Sequence, residues 1–270
     1  MEQLSNDSNL SGVSWAAVFA GAFVAAALSL ILLALGTGIG LSSVSPWSGA
    51  GASASTIGAT AIVWFILMQL IAYSMGGYLA GRLRTRWVNV HTHEVYFRDT
   101  AHGFLVWAVG LVLTAAFLTS AGAALAGAAA RASATAEESG GAAAHRPFSP
   151  SEYFVDMLLR SNSPASSQDT AAARGEVALI FANGIREGSI PPSDSRYLAQ
   201  VVAARTGASE QDAEKRVEDV FAQAQQAADN ARKTFAHSMY WTFLALLVGA
   251  FCASFAATIG GSQRDHVVVI

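Results

Sequence analysis

Charge is scarce in this chain of 270 residues. Only 13% of them are Asp, Glu, Lys or Arg, against about 25% in soluble domains. The shortage is concentrated: Trp15 to Leu41 and Ile57 to Leu79 contain no charged residue at all. With 53% hydrophobic residues and a mean hydropathy of +0.38, composition points to lipid as the solvent. Net charge is only −3, so no global basic field exists to recruit nucleic acid. The one cysteine, Cys252, lies in an apolar run, which excludes an internal disulfide and any CxxC site. No GxSxG, GxxxxGK[ST] or GxGxxG occurs in a strand-turn-helix context, so acyl hydrolysis, P-loop chemistry and dinucleotide binding have no foothold. The apolar runs hold no Asp, Glu, Lys or Arg in their interiors, which disfavours proton-coupled transport. No Lys or Arg precedes the first run, and that run is too long for a signal-peptide core, so it reads as an uncleaved span.

Four runs are long enough to cross a bilayer: Trp15 to Leu41, Ile57 to Leu79, Ala101 to about Ala130, and Met239 to Gly260. Between the second and third lies GRLRTRWVNVHTHEVYFRDT, whose Arg82, Arg84, Arg86 and Arg98 fix the orientation. A short loop rich in arginine stays in the cytoplasm, whereas the uncharged loop Ser42 to Ser55, with Pro46 to stop the helix and Trp47 as an interfacial anchor, crosses. Both termini, including Arg264, then share the cytoplasmic side. Arg232 and Lys233 before the fourth run oppose this, but long loops translocate largely regardless of charge. The five arginines at that end are expected at lipid headgroup height, with Asp99 or Thr100 capping the third span. Small residues at four-residue spacing, Ala17, Gly21 and Ala25, then Gly36 and Gly40, with Gly76 and Gly77 in the second span, let neighbouring helices approach closely; the sharper reading is a glycine-lined solute path. Gln69, the one strongly polar side chain of the second span, is expected to hydrogen-bond to a neighbouring helix.

The expected organisation is all-α and polytopic, with a soluble helical insertion between spans three and four. Its parts are a tail (1-14), a membrane domain (15-130), a low-complexity linker (131-150), the insertion (151-235), the fourth span (236-261) and a second tail (262-270). In the insertion, periodicity predicts helices over Glu152 to Arg160 (Phe154, Met157, Leu158 inward), Ala171 to Glu187 (Val177, Ile180, Phe181, Ile185) and Ser193 or Asp194 to Arg205 (Leu198, Val201, Val202). Gly207 is placed as a helix C′ residue, and Ser209 with Asp212 as a capping box. From Glu210 the positions Ala213, Val217, Val220, Ala224, Ala227 and Ala231 alternate four and three apart, a coiled-coil-like seam that runs unbroken into the fourth span and would couple it rigidly to the insertion.

His91, His93 and Glu94, with His102 nearby, have metal-ligand residue types, but no HExxH helix or cysteine accompanies them; polar contacts at headgroup level are the plainer reading. The stretch YLAQVVAARTGASEQDAEKRVEDVF has the look of a helix-turn-helix and resembles the first helical hairpin of histone-like HU proteins. It lacks their basic arms, and its second helix sets five carboxylates against Lys215 and Arg216, so no nucleic-acid partner is expected. SWAAVFAGAFVAAALSL, GGYLAGRLR, RDTAHGFLVWA and GAFCASFAATIGGSQRD resemble a family of uncharacterised bacterial inner-membrane proteins often labelled PhnA-like, although no zinc-ribbon cysteines are present. The resemblance implies four spans in a bacterial inner membrane and supplies no activity. The expectation is therefore a non-enzymatic inner-membrane protein without a cofactor. Its partners are the bilayer and, through the insertion, another envelope protein or a second copy. A passive channel or transporter component and a metal-dependent membrane enzyme using His91, His93 and Glu94 are the alternatives.

Overall fold

A computed structural model describes residues 12–47, 49–87, 91–138, 150–160 and 167–266. Every regular element among them is a helix: α1 (Trp15–Ser43), α2 (Ala54–Leu83), α3 (Thr92–Glu138), α4 (Pro150–Leu159), α5 (Ser167–Glu187), α6 (Pro192–Thr206) and α7 (Glu210–Asp265). Four of them, α1, α2, α3 and α7, are long and apolar enough to cross a membrane. The chain divides into two compact units, one of residues 1–127 and 238–270, the other of residues 128–237, and α7 contributes to both.

In the first unit the helices meet through small residues. Gly21 of α1 lies against Gly76 of α2, so close that a Cβ on Gly76 would stand 2.6 Å from the Gly21 carbonyl oxygen. Val106 of α3 closes on the same spot. Gly77 and Gly103 receive the Ala253 backbone of α7 in the same way. Without a hydrophobic force between helices in lipid, such close backbone approach is what dispersion can use. The buried side chains cluster toward one end: Ala17 to Ser29 of α1, Met68 to Gly81 of α2, His102, Val106 and Gly110 of α3, and Ala245 to Gly261 of α7. Phe23, Val112, Phe251 and Phe255 are among the large apolar side chains left exposed, as a lipid-facing surface requires.

Of the predicted packing residues, Gly21, Gly36, Gly76 and Gly77 are used, Gly36 against the Trp64 indole, whose Nε1 donates to the Leu32 carbonyl at 3.0 Å. Gly40 has nothing within 4 Å of a built Cβ. Gln69 is buried, yet no hydrogen bond of its side chain occurs among the described residues, contrary to expectation. Pro46 follows the end of α1 as predicted, and Ser53 caps α2 by accepting from the Thr56 N–H.

The second unit has its own core. Val155 and Leu158 of α4, Val177 and Phe181 of α5, Leu198 and Val202 of α6, and Ala213, Val217, Val220 and Ala224 of α7 are all buried together. Phe181 and Phe221 meet edge to face, 5.6 Å between centroids. α6 begins one to two residues before the expected Ser193/Asp194 cap: Pro192 takes the first helical position, where its fixed φ helps and its missing N–H costs nothing. Gly207 ends the helix at φ 73°, with its N–H on the Ala203 carbonyl, and the Ser209 hydroxyl takes the Asp212 N–H at 3.1 Å. The stretch from 131, read as a helix end followed by a linker, begins as helix, because α3 runs on to Glu138; positions 139–149 and the Ser163-Pro164 break lie outside the described residues.

Candidate functional site

The chemistry-bearing side chains of the first unit gather at the end where α2 leaves, α3 enters, α1 begins and α7 closes. α3 starts at Thr92, so Asp99 lies two turns inside the helix and does not cap it. Helical periodicity turns Asp99 toward the end of α2, where it is 3% exposed. There Arg84, the C-cap residue of α2, grips it with Nε on Oδ1 and Nη2 on Oδ2, the latter at 2.7 Å. This is a bidentate, charge-assisted pair with no exposed arginine surface. The expected headgroup role of Arg84 is therefore overturned. A guanidinium in this position is worth more to a buried carboxylate than to a solvated phosphate.

Arg84 also stacks over the Trp87 ring, 3.9 Å from its centroid, donates to the Thr85 carbonyl at 3.1 Å and lies 3.7 Å from Asp265. Arg264 turns inward as well. It holds Asp265 Oδ1 through Nε at 3.0 Å and donates Nη1 to the Arg84 carbonyl at 2.8 Å, so the end of α7 satisfies carbonyls left over at the end of α2. Tyr78 of α2 donates to Gln263 Oε1 at 2.8 Å.

His102 ties in the remaining helix. Its Nδ1 lies 2.6 Å from the Arg98 carbonyl and its Nε2 2.8 Å from the Ser14 backbone N–H. A carbonyl can only accept and an amide N–H can only donate, so the ring is neutral with the proton on Nδ1. Ser14, the N-cap of α1, makes no side-chain cap bond, and His102 serves its backbone instead. Residues of α1, α2, α3 and α7 thus share one polar cluster, whose helix ends are joined through Ser14, Arg84, Asp99, His102, Arg264 and Asp265.

The metal-ligand candidates are not brought together. The His91 and His93 rings stack at 6.0 Å between centroids, Glu94 pairs with Arg98 at 2.8 Å, and His102 faces Ser14. No group of three or more His, Cys, Asp or Glu side chains converges among the described residues. Of the seam, Ala213, Val217, Val220 and Ala224 are consumed by the second unit's own core, while Ala227 and Ala231 stay exposed. Arg82, Arg86 and Arg98 remain at least partly accessible, as expected for headgroup contacts. Among the described residues, Arg98 alone of these three has a short carboxylate partner. The Arg84–Asp99 and Ser14–His102 pairs escaped sequence reasoning. The one signal available was an ionisable residue inside an apolar helix, which demands a partner. No family model matches the chain, and neither a curated protein nor a solved structure does.

Proposed function

We propose that the chain is a non-enzymatic protein of a bacterial inner membrane, with both termini cytoplasmic. Its 151–235 insertion lies in the periplasm and joins the protein to another envelope protein or to a second copy of itself. The observation that carries this reading is the divided seam of α7, closed from Ala213 to Ala224 inside the insertion and continued by exposed Ala227 and Ala231 on the same stripe. Small side chains on that stripe leave room for a partner helix to approach. The charges that oppose the orientation are softened: Asp229 pairs with Lys233 at 2.6 Å and with Arg232 at 2.7 Å. The channel reading has less support at Gly21, Gly76 and Gly77, where neighbouring backbone fills the space, whereas Gly40 keeps open space around it. For the metal-enzyme reading, His91, His93 and Glu94 form no converging group of ligands among the described residues.

The test is cross-linking of the full chain in membranes, in a Cys252→Ala background, with cysteine placed singly at Ala227, Ala231 or Gln226. Adducts favoured at Ala227 and Ala231 over Gln226 are expected; adducts at none of them, or equally at all three, reject the seam as a contact. Orientation is read separately from Ser193→Cys and a membrane-impermeant thiol reagent, which is expected to label cells with a permeabilised outer membrane.

A further inference from the structure

Beside the polar cluster lies a cavity of about 480 Å³, bounded by Arg86 and Trp87 after α2, Thr92, Tyr96 and Asp99 of α3, and Ser262 and Asp265 of α7. Its charge balance is uneven. Among its described lining residues Arg86 is the guanidinium beside two carboxylates, Asp99 and Asp265, and both carboxylates are already paired with arginines outside the lining, Arg84 and Arg264. Asp99 is taken by Arg84, and Asp265 Oδ1 is taken by Arg264 at 2.5 Å. Arg86 comes no nearer than 4.0 Å to Asp265, and its side chain is 59% exposed. Among the described residues it is the cation in the cavity wall whose donors are left over, and its fork matches a phosphate oxygen pair.

A second feature says what is attached to the phosphate. On α7 the cavity residues Ser262 and Thr258 continue, at steps of three and four, into Phe255 and Phe251. Both rings are exposed, at 59% and 72%, and lie parallel with 6.3 Å between centroids. The Thr258 and Ser262 hydroxyls are already donated to the Phe255 and Ile259 carbonyls, so this stripe presents little polarity beyond the cavity. A polar pocket with one spare cation that opens onto an apolar stripe suits an amphiphile.

We infer that this cavity is a binding site for the phosphate headgroup of an anionic phospholipid, held by Arg86, with its acyl chains along Phe255 and Phe251. The inference rests on the four long helices spanning a bilayer and is independent of the α7 seam. Arg82 is the natural comparison, because it is at the same end, has no ion pair among the described residues and does not line the cavity.

The experiment titrates the purified full chain, in a neutral detergent, with phosphatidylglycerol and counts bound lipid by native mass spectrometry. Wild type is expected to retain one lipid well above the rest. Arg86→Gln should weaken that site about tenfold, the loss of one charge-assisted phosphate contact, while Arg82→Gln changes it less than about threefold. Arg86 is exposed enough for the variant to keep the wild-type thermal midpoint, which is measured alongside. Equal affinity in wild type and Arg86→Gln, or equal losses in both variants, overturns the site. Inorganic phosphate displacing the lipid at matched concentration overturns the lipid as its occupant.

Discussion

Replacing Asp99 by Asn keeps the size of the side chain and removes its charge, which leaves Arg84 without exposed surface and without its bidentate partner. Breaking a buried pair from one side costs about 3–5 kcal/mol, because the remaining ion has lost both water and counter-charge. Asp265 at 3.7 Å remains as a second carboxylate, but its other oxygen is engaged by Arg264. The lower part of that range, about 3 kcal/mol, is therefore expected. At roughly 2–4 °C per kcal/mol for chains approaching this length, the thermal midpoint should fall by about 6–12 °C. The assay is thermal unfolding of the full chain in one detergent, followed by tryptophan fluorescence. The partner experiment is Arg84→Met combined with Asp99→Leu, which removes both charges together. The double variant should be more stable than Asp99→Asn alone, since no unpaired ion stays buried, although it also gives up the stack on Trp87. A loss below about 1 kcal/mol for Asp99→Asn is what an ordinary solvated ion pair gives, and it would refute the buried cluster as the fastening of these helix ends.

Gly76→Val should prevent the approach of α1 and α2 and lower the midpoint by several degrees, whereas Gly40→Val, with open space around it, should leave it unchanged; equal effects would reject the observed packing. Histidine ¹⁵N spectra of the full chain should show His102 neutral with hydrogen on Nδ1, and an imidazolium signal at neutral pH would contradict the bond from Ser14. The Tyr197 hydroxyl donates to Glu176 Oε2 at 2.8 Å, and that bond, chiefly, raises its pKa above the ordinary 10.0. Because folding raises the value, the contribution is complete below the unfolded pKa and lost as pH climbs through the folded one. Wild type and Tyr197→Phe should therefore differ in stability near neutrality and converge in strong alkali; a gap that persists there would sink the assignment.

The four long apolar helices were legible because an uncharged run of more than 20 residues matches the hydrocarbon thickness of a bilayer and offers water nothing to bind. The helices of the second unit were legible for the opposite reason: polar residues surround Leu158, Val177, Phe181 and Leu198, so periodicity exposes the inward face. The membrane helices carry apolar residues on all sides, and no such face could be read from them; which spans touch had to come from the structure. Gly21 and Gly76 were found as small residues, but not as partners. The start of α3 was missed because THEVYFRD is polar enough to pass for a loop, and that error hid Asp99, whose value depends on lying inside a helix opposite Arg84. Arginine beside an apolar run invites the lipid reading by default, and sequence alone offers no means to sort Arg84 from Arg86.

That sorting divides the labour among the five arginines. Arg84 and Arg264 are spent on carboxylates and helix-end carbonyls, so they fasten helix ends; Arg98 is held by Glu94 one turn away. Arg82 and Arg86 keep their charge for the surroundings. Fastening and lipid contact need not compete, because different residues perform them, and mutation should separate them. Asp99→Asn should cost stability, while Arg86→Gln should cost lipid at unchanged stability. Away from this end α1 and α2 flank a groove of about 370 Å³, mostly apolar and lined by Trp64 and Met68 among others, and most of α3 beyond Gly110 is exposed among the described residues. The polar cluster is thus the fixed point of the membrane unit, and variants placed in that groove should change stability far less than variants placed at Asp99.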